Sequence, residues 1–477
     1  MFAGMPSRCY LLPFAITVVA TTIAPGIAGA QSDCPALCVV RPAARVVWRS
    51  GVPDARGDGA ATTGVGLNLH LRAGMEGRIG PIIFRLAPEL TVAENREYAT
   101  FAGRDPGRSV FASPFYAGEF SADLPSRFGN APLTRLHAGE SGVWWTGTAG
   151  SLAVLTALPQ WGPGVGEGLV LGRSAPGFPR VEAALNWQPR AGKFRLRWFG
   201  GAVQESQFFD PDPSNDRRSV AGARVEYARP GRMTLDAGLS RTVMDGRADR
   251  GFLSAGVLPL LRTATDSVLE LVSADLLLRD SLAGTTVWLE AVRQTPVRSV
   301  RELVRMPTEG LAFRVGLAQR VLTTARATWL TTVEFVRLDQ SGQRSDRVPR
   351  DLYTSTTVVQ GWTHRGQPLG SGLGPGGQRQ YGRIDRIGTV WRLSGFAERI
   401  RWNDDALFRE PAPYLDRHDV TLQAGLRAAR AVGGYDVAAK VSVGKRLNHL
   451  FQGASSSPGN RAVDVRVVEF ALSFVSR

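Results

Sequence analysis

Few residues of this chain are spaced for catalysis or metal binding. The sequence has no G-x-S-x-G nucleophile motif, no H-E-x-x-H zinc motif and no phosphate-binding loop that ends in Gly-Lys. None of its five histidines stands at metal-ligand spacing from another, and nothing completes the possible ligand pair of His137 and Glu140. We therefore predict a protein that is not an enzyme and that has no metal site and no cofactor.

The side chains best placed to bind a ligand are arginines in segments where polar and apolar residues alternate. Arg195 and Arg197 alternate with large apolar residues in Phe194–Phe199, and Arg326 has a similar place between Ala325 and Ala327. Successive side chains of a strand point to opposite faces. Two arginines on one face suit a strand with a wet lumen on one side and lipid on the other. We expect all three arginines to face a lumen.

The first thirty residues resemble a secretory signal peptide. Arg8 precedes an apolar run, and Ala28-Gly29-Ala30 matches an A-x-A cleavage site. A single membrane anchor is the alternative, but the run is short and is interrupted by Pro13 and Pro25. No later stretch reaches the roughly 18 apolar residues that a spanning helix needs. We predict a signal peptide at residues 1–30 and export to the outer membrane of a Gram-negative-type (diderm) bacterium.

Two cysteines follow the predicted cleavage site. Cys34 and Cys38 are close enough in sequence to close a small disulfide loop in an oxidising compartment. Metal binding is the alternative, but two thiols without a nearby histidine make a poor site. We predict a disulfide between them.

Composition and charge narrow the class of partner. Hydrophobic residues make up 43% of the chain and charged residues 21%, which is typical of a folded protein. The formal net charge of +15 makes nucleic acid one candidate partner. Export and the absence of a nucleic-acid-binding motif exclude it. Acidic polysaccharide, lipopolysaccharide phosphates and small anions suit a cationic lumen better.

Alternating segments continue to the C-terminus, separated by Gly, Pro, Asp and Asn. They predict an all-β fold, a transmembrane antiparallel β-barrel of about 16–18 strands at residues 61–477. Residues 31–60 are irregular, and we expect them to form a periplasmic segment. Residues 93–131 are weakly patterned and are a candidate plug region. The longest irregular segments should be extracellular loops: 209–217, 339–350 and 366–380. A soluble propeller is the alternative, but no motif repeats at a fixed period.

Three blocks of sequence resemble one protein family. They are Asp123–Gly129, Gln160–Gly164 with the following Leu169–Pro179, and Gly361–Gly370 with the following Gly374-Pro375-Gly376. In this order they resemble the motifs of Wzi-type capsule assembly proteins. The resemblance implies an outer-membrane barrel of about eighteen strands closed by loops, with a periplasmic helical part. It also implies a surface lectin that helps to attach capsular polysaccharide to the cell.

Within these blocks, three residues are candidates for polysaccharide binding, besides Arg195, Arg197 and Arg326. Trp161 could stack on a sugar ring, or could anchor the barrel at the membrane interface beside a Gly-Pro-Gly turn. His364 and Arg365 could bind a uronic acid, for which the arginine fork is suited, or could simply clamp a loop.

Three functions remain open. The leading hypothesis is a barrel that binds surface polysaccharide and assists capsule or exopolysaccharide assembly and attachment. Its partners would be acidic capsular or exopolysaccharide and outer-membrane lipids. The alternative is an anion-preferring porin or a polysaccharide export channel lined by the arginines. An enzyme inside a barrel fits worst, because no nucleophile has a recognisable histidine partner.

Overall fold

The computed structural model describes residues 37–54, 56–57, 59–61, 64–98, 107–163, 167–246, 268–294, 300–305, 310–340, 351–409, 417–451 and 463–476. Almost all of its regular structure is β. The strands are β1 Leu37–Arg49, β2 Gly66–Ile79, β3 Ile82–Leu86, β4 Glu89–Ala93, β5 Leu133–His137, β6 Gly142–Thr146, β7 Gly150–Leu155, β8 Arg180–Trp187, β9 Lys193–Gln204, β10 Arg217–Arg229, β11 Met233–Asp245, β12 Val268–Asp280, β13 Thr285–Arg293, β14 Leu311–Thr323, β15 Ala327–Arg337, β16 Thr363–His364, β17 Gln367–Pro368, β18 Gln378–Gly388, β19 Trp391–Trp402, β20 Asp419–Val432, β21 Tyr435–Leu447 and β22 Val465–Ser476. Two short helices, α1 Val300–Arg305 and α2 Asp404–Arg409, and two 3₁₀ turns lie between strands.

The strands form one closed antiparallel barrel. β3 and β4 both pair with β2 and together fill one position, and β6 and β5 pair with them and fill the next. β16 and β17 form a separate hairpin. The described residues therefore supply eighteen barrel positions. The predicted fold class is confirmed, at the upper end of the expected strand number.

The barrel closes between its first and last strands. β1 pairs with β2 on one side and with β22 on the other, and Ala44 lies opposite Phe474. Across this seam, Arg49 Nε donates to Glu469 Oε2 at 2.8 Å, joining residues 420 apart in sequence. Closure pairs both edge strands of the barrel sheet, as a β-structure in lipid requires.

Strand residues alternate between a lipid-facing wall and the lumen. Leucines such as Leu185, Leu239 and Leu426 are exposed on the outer face, as a barrel in a membrane requires. Exposed tryptophans lie beside the short turns: Trp145, Trp187, Trp329 and Trp391. They form an aromatic girdle of the kind found at membrane interfaces. No helix in the described part of the chain is long and apolar enough to cross a membrane.

The two ends of the barrel differ. At one end short turns join the strands, for example Gly433-Gly434 between β20 and β21. At the other end, β4 ends at Ala93 and β15 ends at Arg337, and a long connection follows each of them before the next strand begins. Outer-membrane barrels have short periplasmic turns and longer outer loops. We therefore assign the short-turn end to the periplasm and the loop end to the cell surface.

Two arginine predictions are confirmed in position and one is wrong. Arg195 and Arg197 lie on the inner face of β9, and Arg197 is buried. Arg326 is exposed in the short turn between β14 and β15. Thr324 Oγ1 accepts hydrogen bonds from the backbone N–H groups of Arg326 and Ala327. The threonine thus makes a local turn that interrupts the apparent alternation, and Arg326 does not face the lumen.

Residues 37–49 correct the prediction of an irregular segment at 31–60, because they form β1. The strand was not predicted because it contains Pro42, and proline is uncommon inside strands. The pairing of β1 with β2 shifts register between Val40 and Ala43, so the proline lies at a bulge, where a missing N–H is tolerated. Cys38 in β1 is disulfide-bonded. Cys34 and the predicted signal peptide lie outside the described residues, so the Cys34–Cys38 pairing stays a prediction.

Candidate functional site

The loop end of the lumen is filled by chain that folds inward. We call the described parts of 51–61, 107–132, 156–179 and 351–377 the interior loops. Residues of two of them join one hydrophobic core with inward-facing residues of eight strands, and its members include Trp161, Leu169, Val170, Leu171, Phe178, Phe199, Val203, Val220, Met244, Leu271, Val292, Val336, Leu352, Tyr353, Trp362, Leu369 and Ile400. The predicted extracellular loop 366–380 is therefore wrong as a surface loop. Residues 366–377 are largely buried, and 378–380 begin β18.

The sequence blocks that resemble the capsule family meet in this core. Gly172 N donates to Leu369 O at 2.7 Å, and Trp362 Nε1 donates to Val170 O at 2.8 Å. The hydroxyl of Tyr353 donates to Leu169 O at 2.5 Å. Residues far apart in sequence thus satisfy each other's buried polar groups, which rigidifies the packed loops.

The first block is tied to the third through Asp123. Its carboxylate accepts from Ser206 N at 2.7 Å, from Ser206 Oγ at 2.6 Å and from Gly366 N at 3.1 Å. Arg218, on the inner face of β10, donates to Gly361 O at 2.9 Å and to Thr363 O at 3.1 Å. Gly361 has φ 63°, and a Cβ there would lie 2.2 Å from Tyr353 O, so only glycine fits.

Two of the predicted binding residues are part of this packing. Trp161 and His364 are each 2% exposed. Trp161 packs edge-on against Phe199 inside the barrel, so it is not an anchor at the membrane interface. His364 Nδ1 accepts from Gln204 N at 2.9 Å, and burial holds its pKa well below the usual value, which keeps the ring neutral. Neither side chain is placed to contact a polysaccharide outside the cell.

The side chain of Arg365 is less buried than those of Trp161 and His364. It forms the tip of the β16–β17 hairpin, where φ is 52°, and is partly exposed. Its guanidinium donates to Gln204 Oε1 at 3.1 Å and to His137 Nδ1 at 3.1 Å. Arg135 lies close by and stacks over Phe128 at 4.8 Å. Among the described residues, the Arg365 guanidinium contacts an amide oxygen and an imidazole nitrogen but no carboxylate. The positive charge of Arg365 therefore remains available to an anion.

Gln360 joins two further segments to the interior loops. Its carbonyl accepts from Asp123 N, and its amide donates to Glu205 and to Asn215 Oδ1. Burial, together with Asp210, Asp123 and Asp216, raises the pKa of Glu205 to about 8. Burial likewise raises the pKa of Asp123 to about 6.

These carboxyls should make loop packing depend on pH. A raised pKa in the folded state means that the protonated acid favours folding, so this stability is present below about pH 4.5 and is lost as pH rises through 8. We expect hydrogen exchange in residues 351–377 to become faster, relative to exchange in the barrel strands, between pH 5 and pH 9. Glu205→Gln should remove most of this dependence. The exposed Asp212, changed to Asn, is the matched control and should leave it unchanged. Equal pH dependence in all three proteins would contradict this assignment.

The lumen wall carries chains of ion pairs. Glu182 contacts Arg197 at 3.5 Å, and Glu226 contacts both Arg197 at 3.4 Å and Arg224 at 2.9 Å. Arg224 in turn makes a bidentate pair with Asp275, at 2.6 and 3.0 Å. Arg197 therefore faces the lumen as predicted, but its charge is already matched by carboxylates. Arg195 lies near the same group, within reach of Glu226 and Glu182.

A second chain supports the roof of a cavity. Arg379 bridges Glu334 at 3.1 Å and Glu398 at 2.6 Å, and Arg56 from an interior loop reaches Glu398 at 2.9 Å. Between these residues and the short-turn end lies a cavity of about 470 Å³. Its wall is formed mainly by β1, β15 and β18–β22, and its roof by interior-loop residues such as Asp54, Glu167 and Leu373.

Sequence reasoning missed the residues that hold the loops in place. Asp123 and Gly361 stood in the resembling blocks, but nothing in a single sequence indicates that they meet inside a barrel. Arg218 had a visible signal, because it is the second residue of an alternating strand and has its charge on the lumen face. Within the described ranges, no group of three or more His, Cys, Asp or Glu residues is arranged to hold a metal ion.

Comparison with known proteins reveals similarity in structure rather than in sequence. No protein-family model matches the chain, and no curated protein matches it. The fold is similar to that of Wzi from Escherichia coli, an outer membrane protein involved in group 1 capsule assembly and a carbohydrate-binding β-barrel. The TM-score is 0.61 at 13% identity, over 91% of this chain and 84% of Wzi.

Weaker similarity extends to OccAB3 of Acinetobacter baumannii, with a TM-score of 0.45 at 11% identity over 92% of this chain and 98% of that one. OccK5 of Pseudomonas aeruginosa gives a TM-score of 0.43 at 10% identity over 93% and 98%. The resemblance to Wzi drawn from the sequence blocks is thus confirmed at the level of the fold. The chain has the fold of a Gram-negative outer-membrane β-barrel, similar to the barrel of Wzi, with its lumen occupied by its own loops.

Proposed function

We propose that this protein is a non-enzymatic outer-membrane barrel that binds acidic surface polysaccharide and assists the assembly and attachment of capsule or exopolysaccharide. The observation that carries the proposal is the packed core inside the loop end of the barrel. A lumen filled in this way suits a protein that presents a surface to a polymer better than it suits an open channel. The fold that it shares with a carbohydrate-binding barrel supports the same function.

The interior placement of Trp161 and His364 changes which residues could touch the polymer. Both support the loop fold from within, so their effect on binding would be indirect. Arg365, with Arg135 beside it, is the better contact for a carboxylate, because a guanidinium can donate two parallel hydrogen bonds to it. Arg197 is paired with two carboxylates, and Arg326 lies at the short-turn end of the barrel. Neither arginine therefore belongs to the binding surface formed by Arg365 and Arg135.

Replacing Arg365 tests the proposal. We expect Arg365→Ala to lower the affinity of the purified protein for an acidic glycan by about tenfold, the loss expected for a charge-assisted hydrogen bond. Cells with this variant should hold less capsule. Binding by the native protein should weaken as salt rises from 0.05 to 0.5 M, because exposed charges are screened over about 8 Å at physiological ionic strength. A glycan array and a cell-associated capsule assay measure the two effects.

Two controls separate binding from folding. Heat-modifiable gel migration should show that Arg365→Ala assembles a normal barrel, and Arg365→Lys should recover part of the affinity because it keeps the charge. Arg217→Ala removes an exposed arginine at the same end of the barrel and should bind as the native protein does. Full capsule on Arg365→Ala cells, with glycan binding that salt does not affect, would refute the charge-based mechanism.

The alternative is an anion-preferring porin or polysaccharide export channel. One observation favours it: the cavity below the interior loops carries more cations than carboxylates. A path for ions would need the loop core to open. Electrical conductance therefore distinguishes the two functions.

A further inference from the structure

The cavity on the periplasmic side of the interior loops has an excess of positive charge. Eight cationic side chains line it, against five carboxylates: Arg45, Arg49, Arg56, Arg314, Arg379, Arg383, Arg427 and Lys440, with Asp54, Glu167, Glu334, Glu398 and Glu469. Its volume of about 470 Å³ lies within the usual range for ligand pockets. The size and the charge together suit a small anion.

The carboxylates of this cavity are engaged near its roof and along the seam. Glu398 accepts from Arg56 and Arg379, and Asp54 accepts from Arg56. Glu469 accepts from Arg49 and from Lys440, each at 2.8 Å. Of the cations deeper toward the short-turn end, Lys440 is thus paired with Glu469, and Arg383 is paired with Asp385 at 2.8 Å.

Arg427 is exposed to the lumen and has no carboxylate partner among the described residues. It lies on the inner face of β20, directly opposite Lys440 on β21, and like charges in that position repel. On its other side it faces Ser394 of β19. The next carboxylate in this row, Asp385 of β18, already accepts from Ser394 at 2.6 Å and from Arg383 at 2.8 Å. Among the described residues, no hydrogen bond or ion pair reaches the Arg427 guanidinium.

We propose that Arg427 is the centre of an anion-binding site in this cavity, which takes one carboxylate or phosphate group of a small soluble molecule. The guanidinium offers a fork of two parallel donors that matches either group. Lys440, held in place by Glu469 and by contact with Phe396 at 5.5 Å, adds positive charge from the facing strand. A bound anion relieves the repulsion between the two cations.

The surroundings leave room for such a ligand. Small side chains line the wall beside Arg427, including Ser394, Ala438, Ala471 and Ser473. Arg427 stands near the end of β20, which finishes at Val432 and turns at Gly433-Gly434. An anion would therefore arrive from the periplasmic end. The site lies at the opposite end from the loop surface proposed to bind polysaccharide, and its test is independent of that proposal.

Isothermal titration of the full-length protein in a non-ionic detergent tests the site, with inorganic phosphate and glucuronate as probes and glucose as the neutral control. We expect saturable binding of at least one anion and none of glucose. Arg427→Gln should weaken that binding at least tenfold, and Arg427→Lys should weaken it less. Binding of phosphate alone would assign the site to phosphate groups, and binding of glucuronate alone would assign it to carboxylates.

The matched control is Arg430→Gln, three residues along the same strand. Arg430 is exposed, and its guanidinium stacks over Trp391 at 5.4 Å. The Arg430→Gln protein should bind the anion as tightly as the native protein does. Because no partner depends on Arg427, its replacement should leave heat-modifiable gel migration unchanged. The proposal fails if neither anion binds saturably, or if Arg427→Gln and Arg430→Gln bind as tightly as the native protein.

Discussion

Replacing Trp362 with alanine is expected to turn an electrically silent barrel into a conducting one. Trp362 is fully buried in the loop core, donates from Nε1 to Val170 O, and pairs through its backbone with Tyr353 and Leu369. Deleting a buried tryptophan side chain costs about 3–5 kcal/mol. None of the hydrogen bonds between barrel strands involves this residue, so the loss should loosen the interior loops and spare the wall. Planar-bilayer recordings measure the result.

The native protein should give no stable conductance steps, and Trp362→Ala should give frequent openings. Trp391→Ala is the control, because Trp391 lies on the outer face beside a short turn, where it stacks with Arg430 of the neighbouring strand. It should stay silent. A large steady conductance in the native protein would instead favour the porin, and silence in all three proteins would mean that another part of the loop core is sufficient to close the lumen.

The second large effect is expected at Asp275. Its carboxylate holds the Arg224 guanidinium by two hydrogen bonds, and the two side chains are 4% and 5% exposed. The pair passes over Gly238, where a Cβ would lie 2.1 Å from Arg224 Nη2. Breaking one side of a buried pair costs roughly 3–5 kcal/mol, and Glu226 remains as a partner of Arg224. We therefore expect Asp275→Leu to lower the free energy of unfolding by about 3 kcal/mol, measured by urea titration in lipid vesicles.

A double variant separates lost attraction from stranded charge. Arg224→Met with Asp275→Leu removes both charges at once, and replacing a whole buried pair by apolar residues is often neutral. It should recover most of the stability that Asp275→Leu loses. If the double variant is as unstable as the single one, the cost does not come from an unpaired guanidinium.

The barrel could be predicted from the sequence because its signal is local. Alternation puts Arg195 and Arg197 on one face whatever the rest of the chain does, and the structure places both in the lumen. The same rule failed where a single side chain changed the backbone. Pro42 introduced a bulge into β1, and the Thr324 hydroxyl made a turn at Arg326.

The interior loops could not be predicted in the same way. The composition of Gly366–Gly377 predicts a surface loop, because glycine and polar residues are common in surface loops. Composition does not indicate whether a loop lies outside the barrel or folds into its lumen. The burial of this loop depends on partners such as Asp123 and Gly172, which are more than a hundred residues away. The sequence blocks thus indicated the fold through their resemblance to a family. That Trp161 and His364 are buried and pack inside the barrel could be seen only in the three-dimensional structure.

The seam between β1 and β22 also bears on how long the folded protein lasts in the membrane. The strands that meet there are separated by nearly the whole chain. Closing the ring therefore has an entropic cost, which grows with the logarithm of the number of residues between the two strands. Opening it again would expose two rows of backbone N–H and C=O groups to hydrocarbon, each group at a cost of several kcal/mol. The barrier is therefore high in both directions. Once the ring has closed, its persistence is governed by the rate of escape rather than by the equilibrium free energy.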